Sequence, residues 1–123
     1  MNKITYGRIR MRIMQVLWGK KKANAQEITR AINELEPIAH STVQTHLRAL
    51  EDKGALAHSV DDRTFVYFPL VEKEKVMKSK TMDFIEVLFS GSAESLVSYL
   101  ANNKYITREE MKKAIQLFDK EEK

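Results

Sequence analysis

Apolar residues recur at intervals of three and four along the first half of the chain, which predicts short amphipathic helices. The first covers residues 6–18 and is expected to end at Gly19. The second begins at a capping box, in which Asn24 caps and Glu27 reaches back, and runs to about Leu35 before Pro37. The inward positions are Ile9, Ile13, Val16 and Leu17, with Met14 beside them, and then Ile28, Ala31, Ile32 and Leu35.

A third helix is predicted within the stretch His40–Leu56 and is expected to stop at Gly54. Its apolar residues Val43, Leu47 and Leu50 fall within about 60° of the helix circumference. The opposite side carries Ser41, Gln44, Thr45, Arg48 and Asp52. Ser41 and Gln44 also have capping-box spacing, in which the Gln44 side chain would fold back to the helix start. From spacing alone, Gln44 is either a cap or an outward-facing polar residue.

Two β-rich runs, 56–60 and 65–68, flank the polar turn 61–64, and Pro69 follows the second run. This pattern predicts a hairpin. Three short helices followed by a hairpin form a winged helix-turn-helix. In that fold the third helix enters the DNA major groove with its N-terminal residues against base edges.

Three more helices are predicted after residue 71: one over 72–90, one capped by Ser92, and one opened by a Thr107–Glu110 capping box. Roughly 50 residues are too few to bury a self-sufficient core, so a homodimer is expected. The predicted fold is therefore mainly α, with a winged-helix DNA-binding domain at 1–71 and a helical dimerisation region at 72–123. The predicted dimerisation residues are Met77, Phe84, Ile85, Leu88, Leu96, Leu100, Met111, Ile115 and Phe118.

Charge and composition narrow the choice of function. Residues 1–71 hold 11 Lys and Arg against 7 Asp and Glu, whereas residues 72–123 hold 10 against 10, so the whole net charge of +4 lies in the first segment. A basic excess there suggests a polyanionic partner.

Several classes of site are not expected. The chain has no cysteine, which excludes disulfides, thiolate zinc sites and a cysteine nucleophile. His40 and His46 lie on different helix faces and no carboxylate spacing completes a metal site around them or His58, so no metal or cofactor is predicted. No catalytic set stands out, so the chain is not expected to be an enzyme. Neither a membrane span nor a secretory signal is evident, so a cytoplasmic location is expected.

Three segments carry a resemblance to a known family: Ile13-Met14-Gln15-Val16-Leu17-Trp18, the run from Ser41 to Gly54, and Ser95-Leu96-Val97. Together they resemble the penicillinase-repressor family, the bacterial repressors of β-lactamase and methicillin-resistance genes. The resemblance implies a homodimeric winged-helix repressor of a palindromic operator. It also implies inactivation by cleavage in the dimerisation region, triggered by a membrane β-lactam sensor.

The resemblance also bears on particular residues. It starts the third helix at His40 with Ala39 as the cap, which frees Gln44. It aligns Tyr99–Leu100 with the bond that is cleaved in family repressors. Arg10 and Arg12 stand where the family usually has acidic residues. The absence of cysteine separates this chain from the copper-responsive branch, which has a cysteine-rich tail.

The polar side of the third helix and the hairpin tip supply the predicted DNA contacts. Gln44 can pair with adenine and Thr45 can meet a thymine methyl group. Ser41, Thr42 and Arg48 are expected at phosphates or base edges, His40 at the helix start, and Arg63 as a wing contact. We interpret the basic run Lys20–Lys22 as a solvated loop. An alternative remains open, in which the winged helix serves protein interaction without sequence-specific DNA binding.

Overall fold

The computed structural model describes residues 6–121 and has the predicted winged-helix architecture, mainly helical with a small antiparallel sheet. The elements are α1 (Arg8–Lys20), β1 (Ala23–Asn24), α2 (Ala25–Asn33), α3 (His40–Asp52), β2 (Leu56–Asp61), β3 (Thr64–Pro69), α4 (Lys73–Phe89), α5 (Ala93–Asn102) and α6 (Arg108–Glu121). The chain divides into two compact units, and the boundary falls between Val76 and Met77.

α1 runs past Gly19, so the predicted stop at that glycine is wrong. The helix ends at Lys20, and Lys21 has a positive φ of 74° and donates its amide to the Leu17 carbonyl at 2.7 Å. This bond satisfies one of the carbonyls that a helix end leaves free. Lys20 therefore belongs to the helix and not to a loop.

α2 begins as predicted and ends earlier than predicted. Asn24 Oδ1 accepts from the Glu27 amide at 2.8 Å, and Glu27 Oε1 accepts from the Asn24 amide at 2.9 Å, which confirms the capping box. The helix stops at Asn33, whose side chain bridges to the backbone of Ile38. Leu35, predicted to face inward, is 63% exposed because it lies beyond the helix end and out of its phase.

The sheet has the order β1-β3-β2 with antiparallel pairing throughout. The two-residue strand β1 was not predicted; it pairs Ala23 with Tyr67. The last pair of the hairpin joins Asp61 and Thr64, which leaves Asp62 (φ 49°) and Arg63 (φ 67°) as a two-residue turn. Positive φ at both central positions is the signature of a type I′ turn, whose twist matches that of the flanking strands.

The core of the first unit lies between α1, α2, α3 and the sheet. It contains most of the inward positions predicted for the three helices, and Met14, predicted to lie beside the first of these faces, is fully buried. Ile9 and Val16 are only partly buried and pack against this core. The buried residues are Ile13, Met14, Leu17, Ala23, Ile28, Ile32, Val43, Leu47, Leu50, Ala55, Leu56 and Tyr67. Trp18 is only partly buried, and its Nε1 donates to the Val71 carbonyl at 3.0 Å.

The second unit has no comparable core. None of residues 77–120 is buried. Its large exposed apolar side chains are Met77, Met82, Phe84, Val87, Leu88, Val97, Tyr99, Tyr105, Ile115, Leu117 and Phe118. Within residues 6–121 no single helix is long and apolar enough to cross a membrane; α4 and α5 reach that length and composition only as a pair bent by 74°.

Candidate nucleic-acid interface

The N-terminus of α3 settles which role Gln44 takes within the protein. The helix starts at His40 with Ala39 as the N-cap, and no side chain caps it. The amides of Thr42 and Val43 bond to the Ala39 carbonyl at 3.1 and 3.2 Å. The capping box from Ser41 to Gln44 does not form. Among the described residues Gln44 has no hydrogen-bond partner for its side chain, and it is exposed.

α3 separates into a buried face and an exposed polar stripe. Val43, Leu47 and Leu50 are completely buried. The exposed stripe, which we call the α3 stripe, consists of Ser41, Gln44, Thr45 and Arg48 at positions i, i+3, i+4 and i+7. Thr45 Oγ1 donates to the Ser41 carbonyl at 3.0 Å. Its hydroxyl hydrogen is thereby occupied, which leaves the methyl group as a contact for a partner.

His40 is held in one orientation by α2. Its Nδ1 lies 2.9 Å from Thr29 Oγ1, and that hydroxyl donates its only hydrogen to the Ala25 carbonyl at 2.8 Å. Because Thr29 then has only acceptor capacity left, His40 Nδ1 must carry the hydrogen. Nε2 is left available to an outside partner.

Arginines of α1 make internal contacts. Glu36 accepts from Nε of Arg8 at 2.8 Å and of Arg12 at 2.9 Å, and these hydrogen bonds lower the pKa of its carboxyl group. Arg10 Nε donates to His46 Nδ1 at 3.1 Å. Burial and then the Arg10 charge lower the pKa of His46. Arg10 and Arg12, which stand where the family usually has acidic residues, thus connect α1 to the α2–α3 segment.

The hairpin tip lies beside the α3 stripe. Gln44 and Arg63 line one cleft, together with Asn24, Ala25, Gln26, Thr64, Phe65 and Tyr67. Of the predicted DNA contacts, the cleft therefore brings together one from the helix and one from the wing. The polar residues Asn24 and Gln26 at the start of α2 share it, and no local pattern in the sequence indicated that position.

A second link between α3 and the wing was also missed. His58 Nδ1 on β2 lies 2.8 and 2.7 Å from the two carboxylate oxygens of Glu51 on α3. The imidazole stacks on Phe65 of β3 with ring centroids 3.8 Å apart and an interplanar angle of 9°. Burial and then the nearby Glu51 charge raise the pKa of Tyr67, the next aromatic residue on that face. These contacts depend on strand register, which the sequence pattern does not specify.

The predicted dimerisation residues divide by exposure. Met77, Phe84, Leu88, Ile115 and Phe118 are exposed; Ile85, Leu96, Leu100 and Met111 are half-buried. The candidate cleavage bond Tyr99–Leu100 lies inside α5. The Tyr99 carbonyl accepts from the amide of Asn103 at 3.1 Å and from its side chain at 2.9 Å.

No group of three or more His, Asp or Glu side chains within the described part of the chain could hold a metal ion.

Comparisons with known proteins agree with this architecture. The penicillinase repressor family model matches residues 6–120. The chain is 27% identical to the penicillinase repressor of Bacillus licheniformis over 109 residues, which cover 89% of this chain and 85% of that protein. It is 25% identical to the methicillin resistance regulatory protein MecI of Staphylococcus aureus strain N315 over 108 residues, 88% of each chain.

Two solved structures are similar as well. The solution structure of the DNA binding domain of the repressor BlaI superposes with a TM-score of 0.53 and 31% identity, over 59% of this chain and 90% of that one. The structure of H. salinarum RosR gives a TM-score of 0.52 with 21% identity, over 81% and 94% of the two chains, which is a likeness of fold.

Proposed function

Because the chain belongs to the penicillinase repressor family, we propose that it is a transcriptional repressor that binds operator DNA through α3 and the wing. One observation carries this proposal most directly. Gln44 of the exposed α3 stripe and Arg63 of the wing tip line the same cleft, on the side of α3 opposite its buried face. A helix with a wing beside its polar face is the arrangement that reads a major groove and grips the adjoining backbone.

The residues have distinct roles in this proposal. Gln44 pairs with an adenine edge, and the Thr45 methyl group meets a thymine methyl. Arg48 and Arg63 bind phosphates, and Ser41, Thr42 and His40 contact phosphate or base edges near the start of α3. The buried face of α3 holds this surface in place, because Val43, Leu47 and Leu50 fix the rotation of the helix on the core.

Dimerisation, operator symmetry and induction complete the proposal. The exposed apolar residues of the second unit pack against the same segment of another copy. A two-fold dimer binds a palindrome whose half-sites lie about one helical turn, roughly 34–36 Å, apart or a multiple of it. The repressed genes are β-lactam-resistance or similar stress genes. A membrane sensor triggers cleavage in the second unit, and this cleavage relieves repression.

The test is binding to the DNA upstream of the chain's own gene, compared with a scrambled duplex, across a salt series. Gln44→Ala and Thr45→Ala together should reduce the preference for the upstream DNA by about 10-fold or more, because each lost base contact costs roughly 1–3 kcal/mol. Arg48→Ala should weaken binding to both duplexes alike and lower the salt slope by about 0.9.

A matched control is Gln116→Ala, which removes an exposed helical glutamine from α6 and should leave the preference unchanged. Equal binding to both duplexes by the unmodified protein would contradict the proposal. It would favour instead a winged helix that serves protein interaction alone.

A further inference from the structure

The wing is connected to α3 by a line of side chains that the proposed DNA contacts do not use. His58 of β2 lies with Nδ1 at hydrogen-bond distance from both oxygens of Glu51. A carboxylate only accepts, so Nδ1 carries the hydrogen and donates. Both side chains are largely withdrawn from water, with 25% of His58 and 32% of Glu51 exposed. Partial desolvation strengthens such a hydrogen bond compared with one at an open surface.

The same imidazole continues the line across the hairpin. It lies flat on Phe65 of β3, and Phe65 meets Tyr67 edge-on with centroids 6.2 Å apart. Phe65 is two residues from Arg63 in the chain. We call Glu51, His58 and Phe65 the wing tie. It runs from α3 through both strands and ends beside the turn.

The outer part of the hairpin has little else to hold it. β1 pairs only with Val66 and Tyr67, so the Val60–Phe65 and Asp61–Thr64 pairs have no third strand. Ser59, Val60 and Asp61 are exposed. A two-stranded hairpin without further packing is only marginally stable in water. Buried Leu56 and Tyr67 anchor only the base of the hairpin. Other contacts must therefore fix the direction of its tip.

We propose that Glu51 and His58 are positioning residues that fix the wing tip relative to α3, so that Arg63 reaches the DNA backbone when Gln44 reaches the bases. Neither residue needs to touch DNA. The placement of Arg63 on DNA rests on the proposed function, whereas the restraint of the hairpin tip in the free protein does not.

The free protein therefore provides the first test, amide hydrogen exchange at Asp61 and Thr64, the pair that closes the hairpin. In Glu51→Ala we expect these amides to exchange about fivefold faster, because the hydrogen bond that restrains the hairpin is lost. Glu51→Gln keeps an acceptor for His58 Nδ1 and should stay within about twofold of the unmodified protein. Asp52→Ala is the matched control, since it removes a neighbouring acidic side chain of α3 that has no partner among residues 6–121. Unchanged exchange in a folded Glu51→Ala protein would overturn the proposal.

The second test measures how much Arg63 contributes to DNA binding in each background. Arg63→Ala should lower the salt slope by about 0.9 in the unmodified protein and in Asp52→Ala. In Glu51→Ala and in His58→Ala the same change should lower it by less than half as much, because the tip no longer holds Arg63 at the backbone. An undiminished effect of Arg63→Ala in the Glu51→Ala background would also overturn the proposal.

The two tests separate failure of the wing tie from failure of the proposed function. Faster exchange in Glu51→Ala supports the wing tie whether or not the protein prefers upstream DNA. If the unmodified protein binds upstream and scrambled DNA equally, only the proposed function is contradicted.

Discussion

At the scale of single residues, Arg63 is held in a conformation that does not suit it. Its φ of 67° lies in the left-handed region, where an L side chain costs roughly 1–2 kcal/mol. Type I′ turns prefer Asn and Gly, and glycine at this second central position is especially favoured. The phosphate contact proposed for Arg63 gives a reason for an arginine at a position that favours glycine.

Arg63→Gly should therefore change stability and DNA binding in opposite directions. The free energy of unfolding, measured with urea, should rise by about 1 kcal/mol because the strain is relieved. The salt slope of DNA binding should fall by about 0.9, because one phosphate contact is lost.

Asp62→Gly is the matched control in the same turn. Asp tolerates φ of 49° better than arginine tolerates 67°, so its stability gain should be smaller, and no phosphate contact should be lost. A loss of stability in Arg63→Gly would contradict the interpretation of a strained turn.

His46 makes the stability of the first unit depend on pH. Its pKa in the folded protein lies below the ordinary value of 6.5, owing to burial and then to Arg10. The unfolded chain thus binds a proton more readily, so the stability contribution is complete above about pH 6.5 and is lost as pH falls below it. Urea unfolding at pH 7.5 and at pH 5.5 measures the loss and stays above the range in which Glu36 and Glu110 titrate.

His46→Gln should flatten this pH dependence while lowering stability at pH 7.5, since the contact with Arg10 is altered. His40→Gln serves as the control on the exposed side of α3 and should retain the slope. If both variants kept the slope, His46 would not be its source.

At the scale of elements, α5 presents the candidate cleavage bond in a protected form. A peptide bond inside a helix fits a protease only after the helix opens locally. α5 is capped by Ser92, whose Oγ accepts from the Ser95 amide at 3.0 Å. The free energy of opening α5 therefore controls access to Tyr99–Leu100.

Ser92→Ala should speed cleavage after Tyr99 by chymotrypsin about fivefold, because loss of an N-cap costs roughly 1 kcal/mol. Mass spectrometry of the fragments over time gives the rate. Cleavage after Tyr105, which is 68% exposed outside the helices, is the internal control and should not change. Equal acceleration at both sites would mean that the whole second unit had loosened.

At the scale of the whole molecule, the two units differ in how they bury apolar residues. The first encloses a core of fully buried side chains, whereas none of residues 77–120 is buried. Leu88 is 63% exposed and Phe118 is 72% exposed. Large exposed apolar patches on helices typically mark an interface. These features support the proposed homodimer.

Leu88→Asp combined with Phe118→Asp should shift the protein from dimer to monomer in sedimentation velocity at micromolar concentration, because each charge would be buried without a partner in the interface. Binding to a palindromic duplex should weaken far more than binding to a single half-site, since the two winged helices are no longer linked. Lys104→Asp, at an exposed position of the same unit, is the control. If the unmodified protein sediments as a monomer, both the proposed dimer and the proposed palindromic operator are contradicted.

Local chemistry explains what could be predicted from the sequence. Helical periodicity placed Val43, Leu47 and Leu50 in the core and the α3 stripe outside, because a side chain's face depends only on its position in the helix. The Asn24–Glu27 capping box and the hairpin are likewise defined by residues close in sequence. Resemblance to the penicillinase repressors, carried largely by the α3 segment, indicated the family that the comparisons confirm.

Only the tertiary structure decided the features that join distant segments. Four such features depend on register and on where an element ends. They are strand β1, the exposure of Leu35, the Arg10–His46 contact and the Glu51–His58 hydrogen bond. Spacing alone left two caps of α3 open, Ala39 and Ser41; the family resemblance favoured Ala39, and the structure has Ala39 as the cap. Periodicity assigns a residue to a face; it does not specify which residue of another element lies opposite.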